Sequence, residues 1–330
     1  MLERDGYLPG VPCWIDTNQP DQEAAVAFYR GLFGWECEDM MPPGSPTRYF
    51  IGRLRGGDVA GVALQPEGGA ESAVWNTYVW VRSADETAAK VLDAGGRVVM
   101  EPFDVPNAGR MAICSDPQGA SFSLWQAREH QGARIVNEPG SLNFNDLRTR
   151  DVEGARSFYG AVFGWEILGA GAGASTGAGA GASASAGAGA SAGAGESAAP
   201  GENAGPAMWR LPGYGDFLEQ RDPDLRKRLA DSGGFGGFED VVATLSPIPD
   251  DQPEVAPHWG VIFAVKDADE TAEAAARLGA RVIVAPFDAP WVRMTVIADP
   301  QGAVFTASQF VPSNRKLTSP ASASTISAAA

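Results

Sequence analysis

Histidine is almost missing from this chain: its 330 residues include only His130 and His258. A centre built on several imidazoles is therefore hard to assemble. Cysteine is nearly as scarce. Cys13, Cys37 and Cys114 form no CxxC pair, which argues against a disulfide framework or zinc knuckle and fits a reducing cytoplasm. Basic residues are also short, 25 against 41 acids, and a net charge of −16 argues against nucleic acid as a main partner. No apolar run approaches the roughly 18 residues of a membrane span, so no membrane partner is expected. The start, MLERDGYLPG, lacks the basic-then-apolar pattern of a secretory signal.

What the chain does have is ordinary core material, 44% apolar, at a length that suggests about two domains. It also has internal repetition. PDQEAAVAFYRGLFGWE from Pro20 returns as RDVEGARSFYGAVFGWE from Arg150. VRSADETAAKVLDAGGRVVMEPFD from Val81 returns as VKDADETAEAAARLGARVIVAPFD from Val265, and MAICSDPQGASFSLWQ from Met111 as MTVIADPQGAVFTASQ from Met294. Three blocks in the same order mean a tandem duplication. The second copy carries extra residues between its first and second blocks. Much of that excess is the run from Gly169 to Gly195, all Gly, Ala, Ser or Thr, which has no apolar surface to bury and reads as a flexible loop. The tail over 311–330 reads as disordered.

Each copy reads as strand, helix and strands, twice over. Ala25, Phe28, Tyr29, Leu32 and Phe33 form one helical face, repeated by Ala155, Phe158, Tyr159, Val162 and Phe163. Asp21 and Asp151 are the expected N-caps, and Gly34 and Gly164 the expected stops. The two DPQG tetrapeptides, at Asp116 and Asp299, read as hairpin turns between strands.

A strand, then the D-x-E-x-A-x-x-FY-x-x-x-FGW helix, then a DP-x-G hairpin before the last strand, resembles the vicinal oxygen chelate superfamily of glyoxalases, bleomycin-resistance proteins and extradiol dioxygenases. The resemblance covers Val11 to Gln126 and Ser141 to Gln309, nearly everything outside the loop and the tail. It implies an α+β fold of four βαβββ modules in two similar domains whose curled sheets form cups. The first domain is expected over residues 8–130. The second is expected over 140–310, interrupted at about 169–206. The tandem form with FGW and PFD looks most like a branch labelled glyoxalase-like or hydroxylase. It also implies either a monomer with pseudo-dimeric tandem domains or a homodimer.

Enzymes of that superfamily carry metal-binding His and Glu at fixed strand positions. Carried over by the motifs, those positions fall on Trp14, Asn76 and Ser123 in the first copy and on Phe144, Gly260 and Thr306 in the second. A further position lies near Gln65. None of the six is His, Glu, Asp or Cys, so no cofactor and no divalent metal are expected.

Strand alternation puts Trp14 and Asp16 on one cup face with Asn76, Tyr78, Trp80, Ser123 and Trp125. The second cup face holds Phe144, Asp146, Ile262, Thr306 and Ser308. Aromatic concave walls with a few polar groups suit a small-molecule ligand, and the richer set of indoles places the main site in the first copy. Asp16 and Asp146 correspond, and each reads either as a general base or as a carboxylate that fixes its strand. Arg110 and Arg293 also correspond, as clamps for an anionic ligand or as partners of those acids. Two functions follow. One is a metal-free protein that binds an aromatic or planar metabolite. The other is a glyoxalase-like lyase, isomerase, hydroxylase or dioxygenase with Asp16 or Asp146 as base or with an atypical metal site.

Overall fold

The structure, a computed structural model, describes residues 3–68, 72–168, 207–231 and 236–317. Each repeated helix begins where an aspartate can cap it. Asp21 accepts from the Ala24 amide at 3.1 Å and starts α1 (Gln22–Phe33); Asp151 accepts from Gly154 at 2.8 Å and starts α3 (Val152–Phe163). Both helices stop at glycines in the left-handed region, Gly34 and Gly164, each at φ 74°. The FY pairs lie on the buried face of these helices.

The first copy runs β1 (Pro12–Gln19), α1, β2 (Glu36–Asp39), β3 (Tyr49–Leu54) and β4 (Gly57–Leu64). Its second module runs β5 (Val74–Trp80), α2 (Ala84–Asp93), β6 (Arg97–Val105), β7 (Gly109–Ser115) and β8 (Ser121–Ala127). The second copy repeats this as β9 (Leu142–Thr149), α3, β10 (Glu166–Leu168), β11 (Ala207–Arg210) and β12 (Val241–Pro247). It closes with β13 (His258–Ala264), α6 (Ala268–Arg277), β14 (Arg281–Ala289), β15 (Val292–Ala298) and β16 (Val304–Phe310). These are the four βαβββ modules of an α+β fold. Two short helices, α4 (Tyr214–Glu219) and α5 (Leu225–Asp231), occupy the β11–β12 connection; the first copy turns there through Arg55 and Gly56 alone.

Each copy forms one eight-stranded sheet, in the orders β2-β3-β4-β1-β5-β8-β7-β6 and β10-β11-β12-β9-β13-β16-β15-β14. Modules join through the antiparallel pairs β1–β5 and β9–β13. The parallel pairs β1–β4 and β5–β8 place Asp16 beside Gly61 and Tyr78 beside Ser123, and the antiparallel β1–β5 pair places Asp16 beside Asn76.

The helix-bearing faces of the two sheets meet, and the contacts are reciprocal. Tyr29 on α1 donates to Asp299 in the second copy's DPQG turn at 2.8 Å, and Tyr159 on α3 donates to Asp116 in the first copy's turn at 3.2 Å. The indole of Trp35 donates to the Gly140 carbonyl, and that of Trp165 to Gly10. At the centre the Asn145 amide donates to Thr77 at 2.7 Å. The DPQG aspartates therefore do two things. Oδ1 closes the hairpin by accepting amides, and Oδ2 receives a tyrosine from the other copy.

The expected loop over Gly169–Gly195 lies outside the described residues, as does the tail beyond 317. The tail's first part departs from the expectation of disorder. Residues 312–316 form a 3-10 turn, because Asn314 donates to Asp288 and to the Val292 carbonyl.

Candidate functional site: two unequal cups

In the first cup, Asp16 is buried in the middle of β1 and accepts three hydrogen bonds. Asn76 Nδ2 and Tyr78 Oη donate at 2.8 Å, and Tyr49 Oη donates at 3.1 Å. Tyr49 in turn accepts from the Trp14 indole at 2.9 Å. Gly61 makes this possible: a side chain there would fall onto the Tyr49 ring. Burial pushes the Asp16 carboxyl above its ordinary value, against the opposing pull of its three donors. The same burial, helped by the Asp16 charge, pushes the Tyr49 and Tyr78 phenols well up, so both remain donors.

His130 closes this cup. The linker between the copies delivers its ring edge-on to Trp14, with centroids 4.4 Å apart, and within 5.6 Å of Trp125, whose indole donates to the His130 carbonyl at 3.0 Å. Neighbouring linker residue Ala133 is tied down by Tyr7 and by the Cys13 carbonyl. Trp14 is left 2% exposed and Tyr78 8%. Ser123 and Trp125 are buried with them, while Trp80 stays partly exposed beside Tyr7. Two of the indoles expected to line an open cup, Trp14 and Trp125, instead pack against His130, while Tyr49, Asn76 and Trp80 keep partial exposure.

The second cup differs at matching positions. Thr244 stands where the first copy has Gly61, and its hydroxyl donates to Asp146 at 2.6 Å; Ser246 donates to the same oxygen, Oδ1, at 2.9 Å. Gly260 replaces Asn76 and leaves space, since a side chain there would meet nothing nearer than the Asp146 carbonyl at 3.7 Å. Phe144, Asp146, Gly260, Ile262 and Thr306 are all partly exposed. His258 pairs across the sheet with Arg148 at one end of this floor and bonds the Ala256 carbonyl through Nδ1 at 2.8 Å. Desolvation holds its imidazole below the ordinary value; the Ala256 bond and Asp146 oppose this, and Arg148 adds to it.

Arg110 and Arg293 join neither cup. Arg110 is held bidentate by Asp85 at 2.8 Å and also by Asp104; Arg293 is held the same way by Asp269 and Asp288. Cys13 and Cys114 are buried, and burial pushes both thiols up, which leaves them poor nucleophiles. Sequence reasoning passed over Tyr49, His130, Thr244 and Ser246. Tyr49 and Thr244 lie in strands outside the repeated blocks, and His130 sits in a linker that occurs once.

The positions where the family resemblance implies metal ligands hold an indole, an amide and a hydroxyl in the first copy, and a phenyl ring, a glycine and a hydroxyl in the second. No imidazole, carboxylate or thiolate stands there, and among the described residues no three His, Cys, Asp or Glu side chains converge as a metal site. These residues do not fit a divalent metal.

Paired βαβββ modules, a parallel strand on each side of the module junction and one cup per sheet define a fold, and a family model fits it. The model for the Glyoxalase/Bleomycin resistance protein/Dioxygenase superfamily matches residues 14–124 and 140–306, and the chain belongs to that superfamily. Over 94% of its length it is 36% identical to "Putative glyoxylase CFP32" of Mycobacterium tuberculosis, covering 99% of that protein. It is 30% identical to "Anthracycline biosynthesis protein DauV" of Streptomyces sp. strain C5, covering 91% of this chain and 93% of the relative. Among solved structures it resembles the Mn(II)-bound glyoxalase from Novosphingobium aromaticivorans, with a TM-score of 0.52 at 13% identity over 91% of this chain and 82% of that one. The 2,3-dioxygenase LapB from Pseudomonas sp. KL28 gives the same TM-score at 11% identity, over 91% and 93%. At these identities the likeness is one of fold. No helix among the described residues is long and apolar enough to cross a membrane.

Proposed function

We propose that this glyoxalase-superfamily protein binds a planar, aromatic small molecule without a metal, and that the second cup is the binding face. The observation that carries this reading is the inequality of the cups. Asp16, Trp14 and Tyr78 are consumed in mutual packing, whereas Phe144, Asp146, Ile262 and Thr306 remain partly open. Phe144 and Ile262 offer apolar walls, and the Asp146 carboxylate and Thr306 hydroxyl offer direction. The relative named for anthracycline biosynthesis supports the ligand class, since anthracyclines carry a planar aromatic ring system.

Asp146 also favours a second reading. Both of its hydroxyl donors bind Oδ1, so Oδ2 is turned to accept a proton or a donor from a ligand. An enzyme using Asp146 as general base would draw on that oxygen. Asp16, closed in by three donors, fits the strand-fixing role.

Binding of anthraquinone, followed by fluorescence with and without chelator, tests the proposal. Phe144→Ala should weaken it by about 5- to 100-fold, the size of a lost aromatic contact, and chelator should change nothing. Loss of binding on chelation, or indifference to Phe144→Ala, would overturn it.

A further inference from the structure

Beside the second cup lies a cavity of about 160 Å³, roofed by α4 and α5 and walled on its far side by the amino-terminal segment. Only the second copy has this roof, because the first copy's corresponding connection is a tight turn. The roof is apolar on its inner side, with Tyr214 and Leu218 from α4 and Leu225 and Leu229 from α5.

Arg4 reaches into this lining. Its guanidinium donates to Tyr214 Oη at 2.5 Å and lies over the rings of Tyr7 and Tyr214, 5.1 and 5.7 Å from their centroids. The surrounding arginines are all matched to acids. Arg221 pairs with Asp5, Arg226 with Asp216, Glu219 and Glu239, and Arg228 with Asp222. Arg4, partly buried, has no carboxylate within ion-pair distance among the described residues. Glu239 also lines the cavity, but its charge is taken up by Arg226.

A desolvated guanidinium without a counter-ion is costly, and its planar fork matches a carboxylate. A cavity of about 150 Å³ with apolar walls holds a single benzene-sized ring. We infer that this cavity is a second small-molecule site, distinct from the cup floor, which takes a one-ring aromatic carboxylate with its ring under α4 and α5 and its carboxylate on Arg4. Phe144 is the residue the two sites share, so occupancy of one can be sensed at the other.

Saturation-transfer NMR and calorimetry on the full chain, with benzoate as probe and benzamide as its neutral isostere, test this. Benzoate should bind at least 10-fold more tightly than benzamide. Arg4→Met should erase that preference, and Leu225→Trp, which fills the cavity while sparing Arg4, should abolish binding of both. Gly260→Leu, which obstructs the cup floor, should leave benzoate binding unchanged, so failure of the cup reading and failure of this one are separable. No benzoate binding at millimolar concentration, equal binding by Arg4→Met, or loss of binding in Gly260→Leu alone would overturn the inference.

Discussion

Replacing Asp16 by alanine removes a buried acceptor shared by three donors: Asn76, Tyr78 and Tyr49. Hydrogen bonds to a charged group contribute about 1.5–3 kcal/mol each, and a buried donor left unpaired costs about 1–3 kcal/mol. The loss falls short of the sum. The Trp14 indole only donates to Tyr49 and cannot replace the lost acceptor, but hydroxyls can turn toward one another. Burial has also raised the carboxyl's own pKa, so the wild-type arrangement already carries a desolvation penalty. The balance is a destabilisation of about 3–4 kcal/mol. Asp146→Ala breaks two hydroxyl bonds at a partly exposed site where water can replace the carboxylate, and should cost less than about 1 kcal/mol. Equilibrium unfolding in urea reads both values. Asp16→Asn keeps an acceptor and should recover more than half of the loss. Because the folded Asp16 carboxyl titrates above its ordinary 3.8, its contribution is complete below that pH and declines as pH rises through the folded value. The margin of wild type over Asp16→Asn should therefore narrow over that window. A loss below about 1 kcal/mol for Asp16→Ala, or equal losses for the two alanine variants, would refute the assignment of Asp16 to packing.

Three other outcomes follow from the same contacts. Burial holds His130 below its ordinary 6.5, so the stability it contributes is present above that pH and lost as pH falls toward the folded value; His130→Gln should flatten that part of the stability–pH curve. Tyr159→Phe deprives both Asp116 and the Trp259 indole of a partner and should cost about 2–4 kcal/mol in urea unfolding, more than Tyr29→Phe, which removes one donor from Asp299. Since these bonds cross between copies, each variant should still unfold in a single transition; two separate transitions in the wild type would contradict the shared interface.

The module plan was legible because the same periodicity is written twice. Phe28 and Tyr29 recur as Phe158 and Tyr159, each helix is capped by the aspartate that precedes it, and the DPQG turns recur between strands. The chemistry of the cups was less legible. Cup-face membership follows from strand alternation, and Trp14, Asp16, Asn76 and Tyr78 do meet. Whether a face is open depends on what covers it, and His130 lies in a linker with no second copy to compare. Tyr49 fits over Asp16 only because Gly61 lacks a side chain, a coincidence of two strands outside the repeats. The partners of Arg110 and Arg293 left a fainter signal. Asp85 and Asp269 recur in the ADET blocks as faithfully as the arginines do, and that co-repetition could have paired them. The reciprocal Tyr–Asp bonds between copies follow from how two sheets pack, which no local pattern encodes. The α4–α5 roof had no counterpart to reveal it.

The central claim, that the second cup holds a small molecule without metal, is tested most directly by native mass spectrometry of freshly purified wild-type and Gly260→Leu proteins. Position 260 accepts a side chain without backbone conflict, so the variant should fold and only the cup floor should be obstructed. The wild type should carry an added organic mass that withstands chelator, and Gly260→Leu should fly as the bare chain. A stoichiometric metal mass in the wild type, or the same organic mass retained by Gly260→Leu, would contradict the account.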